Sequence, residues 1–410
     1  MARAFNVPPF YRSPLISRVK EARRLSDPRK RDLSPSTLDF GPIRYKIARH
    51  FGFCYGVENA IEIAYRAVEE QPGKRIFLLS EMIHNPHVNE DLLSRGVRFL
   101  RTTEGEQLIP FDELTPDDVV IIPAFGTTVE IQKRMSDLGV DTKQYNTTCP
   151  FVEKVWKRSD QIGRQNYSIV IHGKRYHEET RATFSHARSH APVVVVRDIA
   201  EAETLADFIT GKRPADSFHV VFAERCSEGF DAVRDLRRIG VVNQTTMLAT
   251  ETKEITQLLR RAVAARFGEA NIADHFADTS DTLCYATSEN QNATYTLIDD
   301  GADLAVVVGG YNSSNTSHLV ELCSGRMPTF FIRDAGEILS RTEIRHFDVG
   351  SKREITTSDW LPNKRPLDVV LTAGASCPDA LLDEVIERIN GWFETRDLEH
   401  VLRPFDLVPV

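Results

Sequence analysis

Short β-branched runs alternate along most of this chain with stretches whose apolar residues recur at helical spacing. The runs are RIFLLS, DVVIIPAFG, SIVIHG, VVVVRD, HVVFAE, DLAVVVGG and DVVLTAGAS, and each precedes an amphipathic stretch. Buried strands of parallel sheets form continuous hydrophobic runs, and strands that alternate with helical patterns are typical of α/β layers. The pattern from residue 43 onward therefore predicts an α/β fold with largely parallel sheets.

Three cysteines divide this alternation into parts. Cys54, Cys149 and Cys284 each lie between an apolar run and a helix-like run, in GFCYGV, NTTCP and DTLCYAT. Because each of these units opens a new run of alternation, we expect three related α/β modules. The predicted segments are a basic arm at 1–43, a first module at 44–149, a second at 150–283 and a third at 284–410.

Two details qualify this division. The strand predicted within 44–53 belongs to the first module by position, but we also consider that it packs with the third. The second module is longer than the others, and its excess lies near 190–240. There FITGKRPADS is rich in turn residues, and SFHVVFAERCSEGFDAVRDLRRIG is expected to add a strand and a helix.

Composition narrows the class of protein. The 410 residues are 41% hydrophobic, enough for ordinary cores, and no apolar run approaches the ~20 residues of a membrane-spanning helix. A formal charge of −8 argues against a nucleic-acid surface, which needs a basic face. Six cysteines without dense spacing indicate reduced thiols. We therefore expect a cytoplasmic protein, with a plastid stroma as the alternative.

The segment 1–43 differs in charge from the rest of the chain. It carries nine Arg or Lys residues and four acidic residues, a net charge of about +5. An organelle transit peptide is one interpretation, since such segments are rich in Arg and poor in acids. The four acidic residues weaken it, and a solvated arm partly packed on the surface is the other interpretation.

The three cysteines are also the strongest candidates for chemistry. Their Gly, Thr and Pro neighbours place Cys54, Cys149 and Cys284 on loops between strand and helix, where functional residues concentrate. Three converging thiolates indicate a bound metal or cluster, and an iron–sulfur cluster with only three would leave one iron open to a substrate or water. The remaining cysteines are expected to be buried apolar residues: Cys226, Cys323 and Cys377.

Two loops have the composition of an anion site. In GGYNSSNTSHLVEL, Ser313, Ser314 and Asn315 follow a predicted strand and would lie at a helix N-terminus, where backbone N–H groups favour phosphate. TAGASCPDALLDEV repeats the arrangement with Ser376. Ser and Asn are also ordinary helix caps, so capping alone is the competing interpretation.

Histidine, glutamate and threonine supply a third group. His84 and His87 lie around a turn in IHNPHVN, and His177 and Glu179 open a predicted helix in HEET. Histidine can donate charge-assisted hydrogen bonds to a diphosphate, and a nearby carboxylate can transfer protons. Thr245, in NQTTM, could relay a proton, although Thr residues on loops are common. Ordinary capping or surface roles remain the alternative for each histidine.

Eight motifs in this order resemble the 4-hydroxy-3-methylbut-2-enyl diphosphate reductase (LytB) family: GFCYGV, IHNPHVN, NTTCP, HEET, NQTTM, DTLCYAT, NSSNT and TAGAS. The resemblance extends over about residues 44–394. The length of the chain and the segment GFDAVRDLRRIGVVNQTTML are similar to the longer branch of the family, best known from plants and cyanobacteria.

The resemblance implies three modules in a pseudo-threefold arrangement around a central [4Fe–4S] cluster, held by Cys54, Cys149 and Cys284. It implies reduction of (E)-4-hydroxy-3-methylbut-2-enyl diphosphate to isopentenyl and dimethylallyl diphosphate, the last step of the non-mevalonate isoprenoid pathway. Two electrons and two protons remove the allylic oxygen as water. The chain has no G-x-G-x-x-G nicotinamide fingerprint, so ferredoxin or flavodoxin is the expected electron donor.

Residue by residue, the resemblance implies a proton route through Glu179 with Thr245. It also implies a set of residues that bind the diphosphate: His84, His177, Ser313, Ser314, Asn315 and Ser376.

This chain departs from the family pattern at two positions. Phe125, in PAFGTT, stands where many members carry a histidine that contacts the diphosphate, so one contact is missing or is replaced by Thr127 or His87. Asn290 stands where an Arg commonly precedes Gln, so its charge is lost. The longer branch also tends to carry AFG, and the first departure therefore affects the list of contacts more than the function.

The residues alone leave two other functions open. A non-redox hydro-lyase would use the same open iron without electrons, and dependence on a reductant separates it from a reductase. A sensor or binding protein would use the cluster to report oxygen or iron. That function needs no proton donor, so it would not depend on Glu179.

Overall fold

The structure is a computed structural model that describes residues 5–279 and 282–406. Arg3 of the basic arm, residues 280–281 of the second predicted module and the last four residues of the third lie outside the described residues. Residue contacts divide the chain into two compact units. The terminal unit comprises Met1–Glu58, His84–Val88 and Tyr285–Val410, and the central unit comprises Asn59–Ile83 and Asn89–Cys284. The three module boundaries stay a prediction.

The terminal unit is built on a five-stranded sheet whose central strand, Leu367–Ala373, is flanked on both sides by parallel neighbours. The order of the strands is Ser36–Asp39, Ile43–Ile47, Leu367–Ala373, Leu304–Val308 and Thr329–Ile332. Only the first pair is antiparallel. A separate antiparallel hairpin joins Glu343–Asp348 to Arg353–Ser358. The sheet interior is apolar on both faces, as expected for parallel strands covered by helices.

The central unit contains two three-stranded parallel sheets. The order of the first is Arg98–Phe99, Ile76–Leu78 and Val119–Ile121. The order of the second is Val193–Val196, Ser168–His172 and Ile239–Asn243. The first sheet packs into one hydrophobic core, and the second packs into two, one on each of its faces.

All three sheets repeat the same order of parallel strands. In the central unit, the strand that comes first in the chain lies between the second and the third. In the terminal unit, Leu304–Val308 likewise lies between Thr329–Ile332 and Leu367–Ala373. Together with the helices that follow the strands, this repetition confirms the predicted fold class: α/β, with three related modules.

Helices connect the strands throughout. Those of the terminal unit are Pro14–Ser26, Tyr285–Asp299, Ser314–Ser324, Ala380–Asn390 and Leu398–Leu402. Those of the central unit are Val129–Asp137, Pro150–Gly163, Glu178–Arg188, Ile199–Thr210, Phe218–Phe222, Ala232–Asp235, Ala249–Phe267 and Ile272–His275. Two more, Tyr55–Glu70 and Pro86–Ser94, contain residues of both units. In the described part of the chain, no helix is long and apolar enough to cross a membrane.

The N-terminal segment is more ordered than the solvated arm considered from the sequence. Ser13 caps the helix Pro14–Ser26 by accepting a hydrogen bond from the Ile16 N–H at 2.7 Å. Ile16 and Val19, three residues apart on one face, are buried in the core of the terminal unit. Full burial of each such side chain contributes roughly 1.5–3 kcal/mol, so this helix is part of the fold.

One predicted strand is wrong. HVVFAE lies in the insertion near 190–240, and the structure forms the helix Phe218–Phe222 there. Phe218 and Phe222 are fully buried, whereas Val220 is 87% exposed. A strand would place all three side chains on one face, while a helix separates positions i and i+4 from position i+2. The β-branched residues of this run suggested a strand, although Phe218 and Phe222 have the spacing of a helix.

Candidate active site

Each cysteine of the predicted cluster lies directly before a helix. Cys54 precedes Tyr55–Glu70, Cys149 is the N-cap of Pro150–Gly163, and Cys284 precedes Tyr285–Asp299. The free N–H groups and the dipole of a helix N-terminus favour negative charge. Each helix start therefore acts in favour of a thiolate, or of an anionic cluster bound to it.

The backbone of each cysteine is held in an equivalent way. The N–H of Cys54 donates to the carbonyl oxygen of Ala375 at 3.2 Å, and the N–H of Cys149 donates to that of Ala124 at 2.9 Å. The N–H of Cys284 donates to the carbonyl oxygen of Thr245 at 3.2 Å. Each acceptor lies two or three residues beyond the third strand of a sheet. The three cysteines therefore occupy the same position in the repeated fold.

The segment before each cysteine supports this equivalence. Ile43–Ile47 runs parallel to Leu367–Ala373, the third strand of the terminal sheet. In the central unit, Asn146 forms a parallel bridge with Ile122, and Phe276 forms one with Ile239. At each of the three sheets, a segment of the chain pairs beside the third strand and then reaches a cysteine. Carboxyl ends of parallel strands are where α/β proteins place ligands.

The donor set fits an iron–sulfur cluster in chemistry. All six cysteines are free thiols. Burial raises the pKa of the Cys54 thiol, and hydrogen bonds from the Gly56 and Val57 N–H groups act in the opposite direction. A bound iron would favour the thiolate by its positive charge. Cys54 belongs to the terminal unit and the other two to the central unit.

Within residues 5–279 and 282–406, no group of three or more His, Cys, Asp or Glu residues is arranged to hold a metal ion. Convergence of the three thiols on one cluster therefore stays a prediction.

The other cysteines are less uniform than expected. Cys323 and Cys377 are fully buried, and burial raises the pKa of the Cys323 thiol to about 12 and that of Cys377 well above its usual range. Cys226 is only partly buried, and its Sγ lies 3.9 Å from His219 Nδ1. The expectation of a buried apolar residue is wrong for Cys226.

Glu179 and Thr245 meet in the central unit, although 66 positions separate them. The Thr245 N–H donates to Glu179 Oε1 at 2.5 Å, and the Thr245 hydroxyl donates to Oε2 at 2.9 Å. His177 caps the helix Glu178–Arg188 and accepts from the Glu179 N–H at 3.2 Å. Glu179 is only 1% exposed, so this carboxyl group is oriented by named donors and shielded from bulk water.

Gln244 fixes the surroundings of this pair, and sequence reasoning missed it. Its Oε1 accepts from the Lys174 N–H at 3.0 Å and from the Thr180 hydroxyl at 3.1 Å. Its Nε2 donates to Thr246 Oγ1 at 2.8 Å. Gln244 thus links the loop of Thr245 to the loop and helix of Glu179. The motif NQTTM contains the signal, but only the folded chain shows the partners.

Three predicted anion ligands lie at one helix start in the terminal unit. Ser313 is the N-cap of Ser314–Ser324, and its hydroxyl oxygen accepts from the Thr316 N–H at 3.3 Å. Ser314 and Asn315 are buried in the first turn. Asn315 Oδ1 accepts from the Ala375 N–H at 2.9 Å, and among the described residues Asn315 Nδ2 is buried with no acceptor.

Ser376 and His84 join the same group of loops. The Ser376 hydroxyl donates to the carbonyl oxygen of His84 at 3.1 Å, and both side chains are buried. A Cβ atom at Gly310 would collide with that carbonyl group. Ser376 does not begin the next helix, contrary to the expected repeat, because Ala380–Asn390 starts four residues later with Asp379 as its N-cap.

The position of Phe125 has a clear structural role. Its ring packs edge-on against the ring of His177, with 5.6 Å between the centroids. Of the two expected substitutes, Thr127 is buried in the central unit. His87 lies 3.2 Å from the carboxylate of Asp334 in the terminal unit, and its hydrogen bond lowers the pKa of Asp334. Phe125 thus orients a predicted ligand, and the residue that replaces the missing contact stays a prediction.

Asn290 lies on the helix Tyr285–Asp299. It is buried, and its Nδ2 has no acceptor among the described residues.

His318 was not singled out by the sequence. It is buried with Nδ1 at 2.8 Å from Glu321 Oε2, and its Nε2 has no hydrogen-bond partner in the described part of the chain. A histidine in the middle of SNTSHLVEL carries no sequence signal that separates it from a core residue.

Comparisons with known proteins agree with one another. The model of the LytB protein family matches residues 46–390. The chain is 41% identical over 356 residues to the 4-hydroxy-3-methylbut-2-enyl diphosphate reductase of Gloeobacter violaceus, covering 86% of this chain and 84% of that protein. It is 39% identical over 381 residues to the protein of the same name from Prochlorococcus marinus, covering 91% and 93%.

Two solved structures are also similar. One is (E)-4-hydroxy-3-methyl-but-2-enyl diphosphate reductase, described as the terminal enzyme of the non-mevalonate pathway. It matches with a TM-score of 0.51 and 25% identity over 84% of this chain and 98% of that one. The other is E-1-hydroxy-2-methyl-but-2-enyl-4-diphosphate reductase from Plasmodium falciparum, with a TM-score of 0.61 over 86% and 88%. At 20% identity, the second likeness concerns the fold.

Proposed function

Since the chain belongs to the LytB protein family, we propose that it is a 4-hydroxy-3-methylbut-2-enyl diphosphate reductase. It removes the allylic 4-hydroxyl of (E)-4-hydroxy-3-methylbut-2-enyl diphosphate and forms isopentenyl and dimethylallyl diphosphate. Two electrons and two protons enter, the C–O bond breaks, and the oxygen leaves as water. This is the last step of the non-mevalonate pathway.

The family uses an iron–sulfur cluster, and we propose that in this chain it is a [4Fe–4S] cluster held by Cys54, Cys149 and Cys284. When bound, an open-site cluster supplies electrons and a Lewis-acidic iron for a hydroxyl group. The observation that carries the proposal is the equivalence of the three cysteines. Each lies before a helix and donates its N–H to the loop beyond a third strand. Six free thiols support a location in a reducing compartment, the cytoplasm.

Glu179 is the proton donor in this proposal. The two hydrogen bonds from Thr245 fix its carboxyl group, and burial keeps competing water away. A positioned carboxyl group contributes typically 10²–10⁴-fold to a proton-transfer step. Thr245 holds that group in place and offers a hydroxyl through which a proton can pass. His177 fixes the first turn of the same helix.

The terminal loops bind the diphosphate. Ser313, Ser314 and Asn315 surround a helix N-terminus, where N–H groups and the dipole favour phosphate oxygens. Asn315 Nδ2 is a buried donor that a phosphate oxygen would satisfy. The Ser376 hydroxyl, hydrogen-bonded to the His84 carbonyl oxygen, completes this group with His84. His177 is a further predicted ligand of the diphosphate.

Cysteine replacement tests the proposal. After anaerobic purification, we expect iron and sulfide analysis and Mössbauer spectra to show four irons with one distinct site. Changing any of Cys54, Cys149 or Cys284 to Ser prevents assembly of the four-iron cluster and abolishes dithionite-driven turnover. Cys323→Ser is the matched control, since Cys323 is buried in the hydrophobic core of the terminal unit.

Three results would contradict the proposal. One is a complete four-iron cluster in any of the three variants. Another is product formation without any reductant, which would indicate a hydro-lyase. The third is a cluster protein without turnover of the diphosphate under any reductant, which would indicate a sensor.

A further inference from the structure

A cleft of about 260 Å³ in the terminal unit lies against one of the proposed cluster ligands. Its wall contains Cys54, the following residue Tyr55, and Tyr285, which directly follows Cys284. Tyr55 and Tyr285 are 37% and 41% exposed. Two of the three cysteines that we assign to the cluster are thus within one residue of this surface. An electron that enters here has a short covalent route to both.

The lip of the cleft is basic. Arg24, Asp27, Pro28 and Lys30 line one side of the cleft. They belong to the segment 24–31, RLSDPRKR, which contains four cations and one acid. Arg24 pairs with Glu21, and Lys30 lies 3.4 Å from Glu289. Arg29 and Arg31 flank Lys30 just outside the lining of the cleft. Both are exposed, and in the described part of the chain neither side chain has an ion pair or a hydrogen bond. We call residues 24–31 the basic lip. Its two uncompensated arginines lie on a chain with a net charge of −8.

We propose that the basic lip and its cleft are the docking surface for a small acidic one-electron carrier protein of the ferredoxin type. This inference rests on the proposed function, which requires two electrons from outside the chain. An acidic carrier is repelled by most of a negatively charged protein and attracted to a local basic patch. Charge complementarity therefore selects this surface, and the exposed tyrosines beside Cys54 and Cys284 place it next to the acceptor.

The carrier delivers its electrons one at a time. Each docking event oxidises one reduced carrier by one electron, and two events supply one turnover. With two protons, these electrons break the allylic C–O bond and release water.

Charge reversal tests the surface with the cluster-loaded protein. In the double variant Arg29→Glu/Arg31→Glu, we expect the KM for a reduced plant-type [2Fe–2S] ferredoxin to rise about tenfold at low salt. The effect should shrink at 0.5 M salt, because surface charges are screened. Turnover driven by dithionite and methyl viologen should stay unchanged. The matched control is Lys352→Glu/Arg353→Glu, which reverses two neighbouring exposed cations of the same unit. It should leave both assays near wild type.

Direct binding separates this inference from the proposed function. Calorimetric titration of cluster-loaded protein with oxidised ferredoxin should show weaker binding for the lip variant and not for the control. Equal affinity for both variants, or an equal change in KM for both, would overturn the docking surface even if dithionite turnover is normal. If wild-type protein binds ferredoxin through the lip but never converts the diphosphate, the proposed function fails and the docking surface stands.

Discussion

The two units hold their predicted site residues in opposite ways. In the central unit, Thr245 directs both its N–H and its hydroxyl to one carboxyl group, that of Glu179. In the terminal unit, Asn315 accepts from the Ala375 N–H and Ser376 donates to the His84 carbonyl group, so each side chain is bonded to backbone. In the function proposed here, the first arrangement directs its hydrogen bonds to one reactive group, whereas the second distributes ligand binding over several polar side chains. Single substitutions should therefore affect the units unequally.

The largest effect is expected for Glu179→Gln. Glutamine keeps the shape of the side chain but cannot supply the proton, so kcat should fall by roughly 10²–10⁴-fold while KM changes little. Anaerobic steady-state kinetics with dithionite, together with the absorbance of the cluster, measure this. Glu254→Gln, at an exposed position of the central unit, is the control. A loss of both cluster and activity would instead assign Glu179 a structural role.

The second prediction concerns one member of the distributed set. Asn315→Ala removes the acceptor of the Ala375 N–H and the donor proposed for phosphate. Losing such contacts costs about 1–3 kcal/mol, so KM should rise about 5- to 150-fold, with a smaller change in kcat. Asn292→Ala, on the exposed face of a helix in the same unit, serves as control. A fall in kcat at constant KM would show that the terminal loops act on the chemical step, and the contrast between the units would fail.

Thr245→Val tests the hydroxyl group of the central pair by itself. It removes the hydroxyl bond at 2.9 Å but keeps the backbone N–H bond to Glu179. The lost bond to a carboxylate is worth about 1.5 kcal/mol, and kcat should fall about tenfold. Thr245→Ser keeps a hydroxyl group and should restore kcat. A kcat that stays near the wild-type value in Thr245→Val would mean that the hydroxyl group only packs.

The smallest effect is expected for Asp383, whose substitution should change the free energy of unfolding but not the kinetic constants. Burial, followed by the charges of Glu387, Asp379 and Glu384, raises the pKa of Asp383 to about 6, although Ser13 donates a hydrogen bond to it at 2.5 Å. The folded state disfavours the carboxylate, so this group favours folding below about pH 4, and its contribution is lost as the pH rises through about 6. Asp383→Asn should therefore stabilise the protein by about 1–2 kcal/mol at pH 8, after allowance for its partial exposure.

Urea unfolding of the Asp383→Asn variant at pH 4 and pH 8 measures this difference. Glu387→Gln, an exposed neighbour on the same helix, should show a smaller change. Equal effects at both pH values would contradict the assigned pKa. Kinetic constants should stay at the wild-type level.

Much of the fold could be predicted because it follows from local pattern. Buried parallel strands such as Ser168–His172 and Leu304–Val308 need β-branched residues on both faces, and such runs are visible in sequence. The helix Phe218–Phe222 was not predicted, because a segment of five residues is too short to distinguish a helical period of 3.6 from the apolar run of a strand. The strand Arg353–Ser358 carries no apolar run at all, since it is mostly exposed and pairs only within its hairpin.

The sequence could predict which candidate site residues lie at helix starts, but not the hydrogen bonds that they form with distant segments. Ser313 and His177 were expected at helix starts, and both are N-caps, because caps depend on the residues that immediately follow. The bonds of Thr245 to Glu179 and of Ser376 to His84 join distant segments, and no local preference specifies them. Their residues were selected by resemblance and by chemistry. Gln244 and His318 lacked both signals, so they were missed.

The position of each cysteine depends on its own sheet, since its N–H is bonded to the loop beyond the third strand of that sheet. A chain in which one sheet has not formed would offer at most two correctly placed thiols. In the function proposed here, loading of the cofactor would then act as quality control during biogenesis. Only a chain whose three repeats have all matured would retain its iron.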